Sequence, residues 1–137
     1  MKYISFAIPC YNSAAYMDRA VESILKGGED VEILIVDDGS KDDTLKIARD
    51  YEEKYPTIVK AIHQENKGHG GAVNTGLAHA TGLYFKVVDS DDWLKENCFG
   101  TIYREAKSHA CDILLFDEEN VYADGTKKRI RAFYPCE

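Results

Sequence analysis

This sequence has no Cys-x-x-Cys pair, no long apolar run and no surplus of basic residues. Each absence closes a route. Its four cysteines, Cys10, Cys98, Cys111 and Cys136, are widely scattered, which argues against a zinc site or a redox dithiol and leaves them as free thiols. No stretch approaches the roughly 18 apolar residues of a membrane span, and the opening segment from Met1 to Pro9 is too short an apolar run for a secretion signal, so the expected compartment is the cytoplasm. A formal net charge of −7 argues against a chain that grips nucleic acid, because such binding runs on clustered Lys and Arg facing phosphates. No internal repeat or low-complexity linker divides the 137 residues, a length suited to one domain.

What is present is an ordinary globular composition, 45% hydrophobic and 30% charged, rich enough in apolar side chains to build a core. Apolar runs bounded by turn residues predict strands at Tyr3 to Ile8, Val31 to Val36, Thr57 to Ile62, Leu83 to Val88 and Ile113 to Phe116. Between them, Met17, Ala20, Val21, Ile24 and Leu25 recur at helical spacing, as do Phe99, Ile102, Tyr103 and Ala106. Ser13 is placed to cap the first helix and Gly27-Gly28 to end it. Ser40 with Asp43 resembles a capping box for a helix from Thr44 to Tyr55. Strands apolar on both faces, alternating with helices, imply an α/β fold: a Rossmann-like three-layer sandwich with a mainly parallel sheet. After Phe116 the pattern changes. Asn120 to Ala123 and Lys127 to Phe133 flank Asp124-Gly125, predicting a C-terminal β-hairpin, with the Lys127-Lys128-Arg129 run solvated.

In open parallel sheets, ligands bind beyond the carboxyl ends of the strands, and here those positions are coherent. Pro9-Cys10-Tyr11-Asn12, Asp37-Asp38-Gly39-Ser40, His63-Gln64-Glu65-Asn66 and Asp89-Ser90-Asp91-Asp92 each follow a strand. Two carboxylates about 4 Å apart repel by roughly 1 kcal/mol in water and roughly 4 kcal/mol in a partly buried site, so several such pairs call for a cation. Asp89, Asp91 and Asp92 supply hard oxygen ligands suited to Mn2+ or Mg2+. A calcium loop of the EF-hand kind is excluded, because Leu94 stands where its glycine belongs. Gly68 to Gly76 lacks Gly-Lys-Ser/Thr and does not follow the first strand, which rejects both the P-loop and the dinucleotide fingerprint. Its small residues still let backbone amides meet an anion, with Lys67 and His69 beside them. Trp93, His109 and Cys111 read as packing residues.

Taken in order, Ile8-Pro9-Cys10-Tyr11-Asn12, Val36-Asp37-Asp38-Gly39-Ser40, Asn66-Lys67-Gly68 with Ala72 and Asn74, and Val88-Asp89-Ser90-Asp91-Asp92-Trp93 resemble the family 2 glycosyltransferases of GT-A fold. The resemblance implies that Pro9, Tyr11 and Asn12 lie beside the nucleotide base, with Tyr11 stacking on it. It implies that Asp38 accepts a hydrogen bond from the base, typically uracil N3. Lys67 and Asn74 fall with the nucleotide contacts, Lys67 near the diphosphate or sugar. Asp91 and Asp92, with Asp89 nearby, match the motif that binds the metal and the sugar hydroxyls. The implied reaction is inverting transfer of a hexose-type sugar from a nucleotide diphosphate sugar, a UDP-sugar by preference, to a carbohydrate or lipid-linked acceptor. Residues 1–137 would then form a single donor-binding domain that stops short of the acceptor part. The catalytic general base matches no segment of this sequence, Asp117, Glu118 and Glu119 included, and is expected downstream of Glu137. The parent protein would work in the cytoplasm or peripherally at the inner face of the membrane. A sugar nucleotidyltransferase would need a basic glycine-rich loop after the first strand, which Pro9 to Ser13 does not offer. A receiver domain would need a lone Asp after the third strand, where His63-Gln64-Glu65 stands. A noncatalytic nucleotide-sugar-binding module is the stronger alternative, and the sugar nucleotidyltransferase stays behind it as the second.

Overall fold

Two strands are buried along their whole length, and they fix the fold. In the computed structural model, which describes residues 1–108 and 111–131, β1 (Ile4–Cys10) and β2 (Val31–Asp38) have no exposed residue. They sit at the centre of a four-stranded parallel sheet ordered β3-β2-β1-β4, with β3 at Val59–Gln64 and β4 at Tyr84–Val87. Full burial on both faces is what an unalternating run such as Ile33-Leu34-Ile35-Val36 requires, and each such side chain contributes about 1.5–3 kcal/mol by leaving water.

The connections step from β1 to β2 to β3 in one direction and then cross back to β4 on the far side of β1. Right-handed crossovers put α1 (Met17–Leu25) and α2 (Thr44–Lys54) on one face of the sheet and α3 (Gly68–His79) on the other. Helix α1 buries Met17, Ala20, Val21 and Ile24, the stripe its spacing predicts. Helix α3 lies against β1 and β2 by a close approach at Gly76, where an added Cβ would stand 2.6 Å from the Ala7 side chain. No helix of the described residues is long and apolar enough to cross a membrane.

At the amino ends of the strands, the buried Glu32 carboxylate gathers the Ser5 hydroxyl at 2.7 Å, the Thr81 amide and hydroxyl at 2.9 and 3.1 Å, and Lys60 Nζ at 3.0 Å. Burial pushes its pKa up, but these donors outweigh it and hold the carboxyl below the ordinary value of 4.5. This knot pins the turn between α3 and β4 to the sheet.

The chain forms two units, Met1–Phe99 and Gly100 onward, with helix α4 (Cys98–Ser108) crossing the boundary. In the second unit, β5 (Glu118–Val121) and β6 (Lys127–Ile130) form the antiparallel hairpin. Its turn is closed by Gly125 at φ +84° and by Asp124, whose carboxylate accepts from the Thr126 amide and hydroxyl. Lys127 pairs with Glu119 at 3.6 Å, Arg129 pairs with Asp117, and the strands are exposed throughout.

Several sequence expectations are corrected. Residues 113–116 form no strand, although all four are apolar. A strand needs a ladder partner as well as propensity, and none among the described residues pairs with them. Strand β3 starts and ends two residues late, because the Ile58 and Val59 amides turn back onto the Tyr55 carbonyl, so His63 and Gln64 are strand residues. The first helix starts at Met17, after a turn in which the Ser13 carbonyl accepts from the Tyr16 and Met17 amides, and no side chain caps it. Ser40 and Asp43 form no capping box. Asp42 does that work by accepting from the Thr44 amide and hydroxyl. Cys10 and Cys98 are free thiols. His109, Phe133, Cys136 and Glu137 lie outside the described residues, so the expectation of a general base downstream of Glu137 falls outside them as well.

Candidate functional site

The reversal of strand order beside β1 opens a crevice at the carboxyl end of the sheet. A cavity of about 220 Å3 lies there, lined by Pro9, Cys10, Tyr11, Asp38, Asn66, Gly68, His69 and Ala72. Its floor is the end of β1, one wall is the end of β2, and the other is the start of α3. Tyr11 is half exposed at the rim.

Asp38 is the most constrained polar group in this cavity. It is 3% exposed, and its Oδ1 accepts from Gln64 Nε2 at 2.7 Å and from the Lys67 amide at 2.8 Å. Both bonds use Oδ1. No buried side-chain oxygen of the described residues lacks a partner, so Oδ2 meets the open space of the cavity and is free to accept a third donor. Gln64 is itself oriented by Thr75, whose Oγ1 lies 2.5 Å from Gln64 Oε1. This relay from α3 through β3 to Asp38 is the part that sequence reasoning missed. Only the adjacency of Gln64 to the strand end pointed to it.

Beside Asp38, the buried Asp37 accepts from the Ser40 amide at 3.2 Å and pairs with His63 Nδ1 at 2.7 Å. Gly39, at φ +74°, turns the chain where an added Cβ would meet the Asn66 amide at 3.0 Å. Asn12 adopts φ +49° and ties its loop to the next one, donating its amide to Ser40 Oγ and accepting the Lys41 amide on Oδ1. Asp42 adds a bond from the Ala14 amide. Burial raises the Asp42 pKa, and the bonds from Thr44 and Ala14 together outweigh it and bring it below the carboxylate norm. In the cavity floor, burial pushes the Cys10 thiol up to about 12, so it is a neutral wall.

The second cluster lies on the loop after β4. Asp89, Asp91 and Asp92 are exposed, with ligand atoms all within 4.8 Å of one another. Ser90, between them, points the other way and is buried. The donor set consists of hard carboxylate oxygens facing solvent, which fits a divalent ion of the Mg2+ or Mn2+ kind with water and ligand oxygens completing its shell. His69 joins the two clusters: it lines the cavity and stands 3.7 Å from Asp89. Trp93 anchors the loop from below, with the Arg19 guanidinium 3.7 Å over its ring.

The residues singled out in the sequence divide accordingly. Pro9, Tyr11 and Asp38 line the cavity, Asn12 braces its rim, and Lys67 contributes its amide to Asp38. Asn74 lies on the exposed side of α3, away from the cavity lining.

A sheet with a switch-point cavity, one aimed carboxylate and an acidic loop defines a class of nucleotide-dependent GT-A domains, and comparison with known proteins places the chain within it. The family model "Glycosyl transferase family 2" matches residues 5–133, and the chain belongs to that family. Among curated relatives, the glycosyltransferase GlyG of Streptococcus pneumoniae is 40% identical over 114 residues, covering 82% of this chain and 38% of GlyG. Among solved structures, S. aureus TarS 1–349 in complex with UDP-GlcNAc superposes with a TM-score of 0.67 at 32% identity, over 80% of this chain and 32% of that one. The mannosyltransferase PcManGT from Pyrobaculum calidifontis, in complex with GDP-Man and Mn2+, superposes with a TM-score of 0.67 at 25% identity, over 80% of this chain and 32% of that one. The chain therefore spans about two fifths or less of these proteins' length. The GT-A architecture expected from the sequence is borne out by these neighbours and by the parallel sheet.

Proposed function

We propose that this chain is the donor-binding part of an inverting glycosyltransferase that takes a UDP-sugar and passes its sugar to a carbohydrate or lipid-linked acceptor. The observation that carries the reading is Asp38: an acceptor held by two bonds on one oxygen, with the other turned to a cavity rimmed by Tyr11. A uracil ring offers the matching pair of features, an N3–H to donate and a flat face for Tyr11 to cover. A nearly buried carboxylate fixed before the ligand arrives loses little entropy on binding.

Around that contact, Pro9 and Asn12 shape the base side. Lys67 would bring positive charge to the diphosphate beside the start of α3, and Asn74, on the exposed side of the same helix, is kept as a further nucleotide contact. Asp89, Asp91 and Asp92 would hold Mn2+ or Mg2+, Asp91 also meeting the ribose or sugar hydroxyls. A divalent ion bound there supplies Lewis-acid neutralisation of the charge that grows on the leaving diphosphate. The UDP-GlcNAc complex of TarS and the Mn2+ complex of PcManGT support the donor class and the metal. The general base and the acceptor site are proposed to come from sequence downstream of Glu137, in keeping with the 38% of GlyG that this span matches. The parent protein is proposed to act in the cytoplasm, at or near the inner membrane face.

Calorimetric titration of UDP and then GDP, with and without Mn2+, tests this. UDP binding that is strengthened by metal supports the reading. Binding of GDP alone would change the base, and binding of neither would remove the donor-site proposal.

A further inference from the structure

The base side is built on the ends of β1 and β2 and the acidic loop follows β4, the neighbour of β1, and one buried residue touches both. Ser13 is fully buried. Its amide donates to Thr44 Oγ1 at 2.8 Å, which ties it to the loop after β2. Its hydroxyl oxygen accepts the Tyr11 amide at 3.2 Å and lies 3.4 Å from the Tyr11 carbonyl oxygen, at the cavity rim. That same hydroxyl is 2.8 Å from Ser90 Oγ, 77 positions along the chain. Ser90 is the inward-facing member of Asp89-Ser90-Asp91-Asp92. Neighbouring backbone positions cannot move independently, so a displacement of the Ser90 backbone carries Asp89 and Asp91 with it.

We propose that the Ser13–Ser90 hydrogen bond is the coupling element of the donor site, making nucleotide binding beside Tyr11 and metal binding at the acidic loop strengthen each other. The inference rests on the donor-site reading above. Ser13 and Ser90 are positioning residues, since neither lines the cavity nor belongs to the acidic cluster. A buried hydroxyl held at once by Tyr11 and by Ser90 has few alternative arrangements, and leaving Ser90 without its partner is costly. Coupling between two ligands is reciprocal, so the gain that Mn2+ gives to UDP must equal the gain that UDP gives to Mn2+.

The experiment uses the whole 137-residue chain. UDP affinity is measured by calorimetry with Mn2+ and with chelator, and Mn2+ affinity is measured by the loss of its free-ion EPR signal with and without UDP. Both are repeated for Ser90→Ala, Ser90→Thr and Ser13→Ala, with a thermal melt for each. The expected result for Ser90→Ala is a mutual gain reduced about fivefold, the scale of one hydrogen bond, while metal-free UDP affinity stays within about twofold. Ser90→Thr, which keeps the hydroxyl, restores the gain. Should Ser90→Ala fail to fold, Ser13→Ala carries the same comparison. A wild-type chain with clear mutual gain and a folded Ser90→Ala with the same gain overturns the coupling proposal alone. A wild-type chain with no mutual gain overturns it together with the donor-site reading.

Discussion

The two halves of the candidate site are built on opposite plans. The base side is buried and braced: Asp38 is held by Gln64 and by the Lys67 amide, and the Asn12, Ser40 and Asp42 contacts lock two loops together. The metal side consists of three exposed like charges on one turn. The first has its geometry before any ligand arrives. The second gathers exposed carboxylates whose mutual repulsion a bound cation would relieve. On the proposed donor reading, recognition of the base is preorganised, while the diphosphate side would be completed by what binds there.

That contrast can be broken from either end. The largest effect is expected from Asp91→Ala combined with Asp92→Ala, which should reduce Mn2+-dependent UDP binding by about a hundredfold or more, since loss of even the groups that orient metal ligands costs about 10–100-fold. Metal-free UDP binding should persist, and calorimetry with and without chelator separates the two. Next, Asp38→Ala should weaken UDP by roughly 30-fold, the scale of a charge-assisted bond, and should do so equally with and without metal. Gln64→Ala, which leaves Asp38 in place but frees it to rotate, should cost about three- to tenfold in UDP affinity, with no change in Mn2+ affinity.

Glu32 provides the control far from the site. Its folded pKa lies below its unfolded value, so its contribution to stability is present above about pH 4.5 and is lost as pH falls through the lower folded value. Denaturant melts from pH 7 to pH 3 should show that loss, and Glu32→Gln should flatten it. The smallest effect is expected from Arg19→Ala, which removes a cation from the Trp93 face. Urea melts should register a change of about 0.5–1 kcal/mol.

Much of this site was legible in the sequence because strand ends are local. An apolar run followed by Asp-Asp-Gly-Ser or Asp-Ser-Asp-Asp marks both the strand and the ligand side of the sheet, and the parallel fold follows from Ile33 to Val36 being apolar on both faces. The helix starts were less legible. Ser13 and Ser40 read as caps by residue type, yet Ser40 Oγ accepts from the Asn12 amide of the facing loop and the Ser13 hydroxyl pairs with Ser90 in the loop after β4. The relay from Thr75 through Gln64 to Asp38 was hidden for the same reason, since it joins a helix to two strands. Residues 113–116 failed in the opposite sense: local propensity was satisfied, but pairing is a property of two segments.

The thiol in the cavity floor has a practical consequence. Alkylating reagents attack the thiolate, and Cys10 is both buried and held protonated up to about pH 12. At neutral pH it should react only when the end of β1 opens. Its labelling rate is therefore a built-in gauge of how often the crevice breathes, and UDP that closes the crevice should slow that rate with no probe added to the chain.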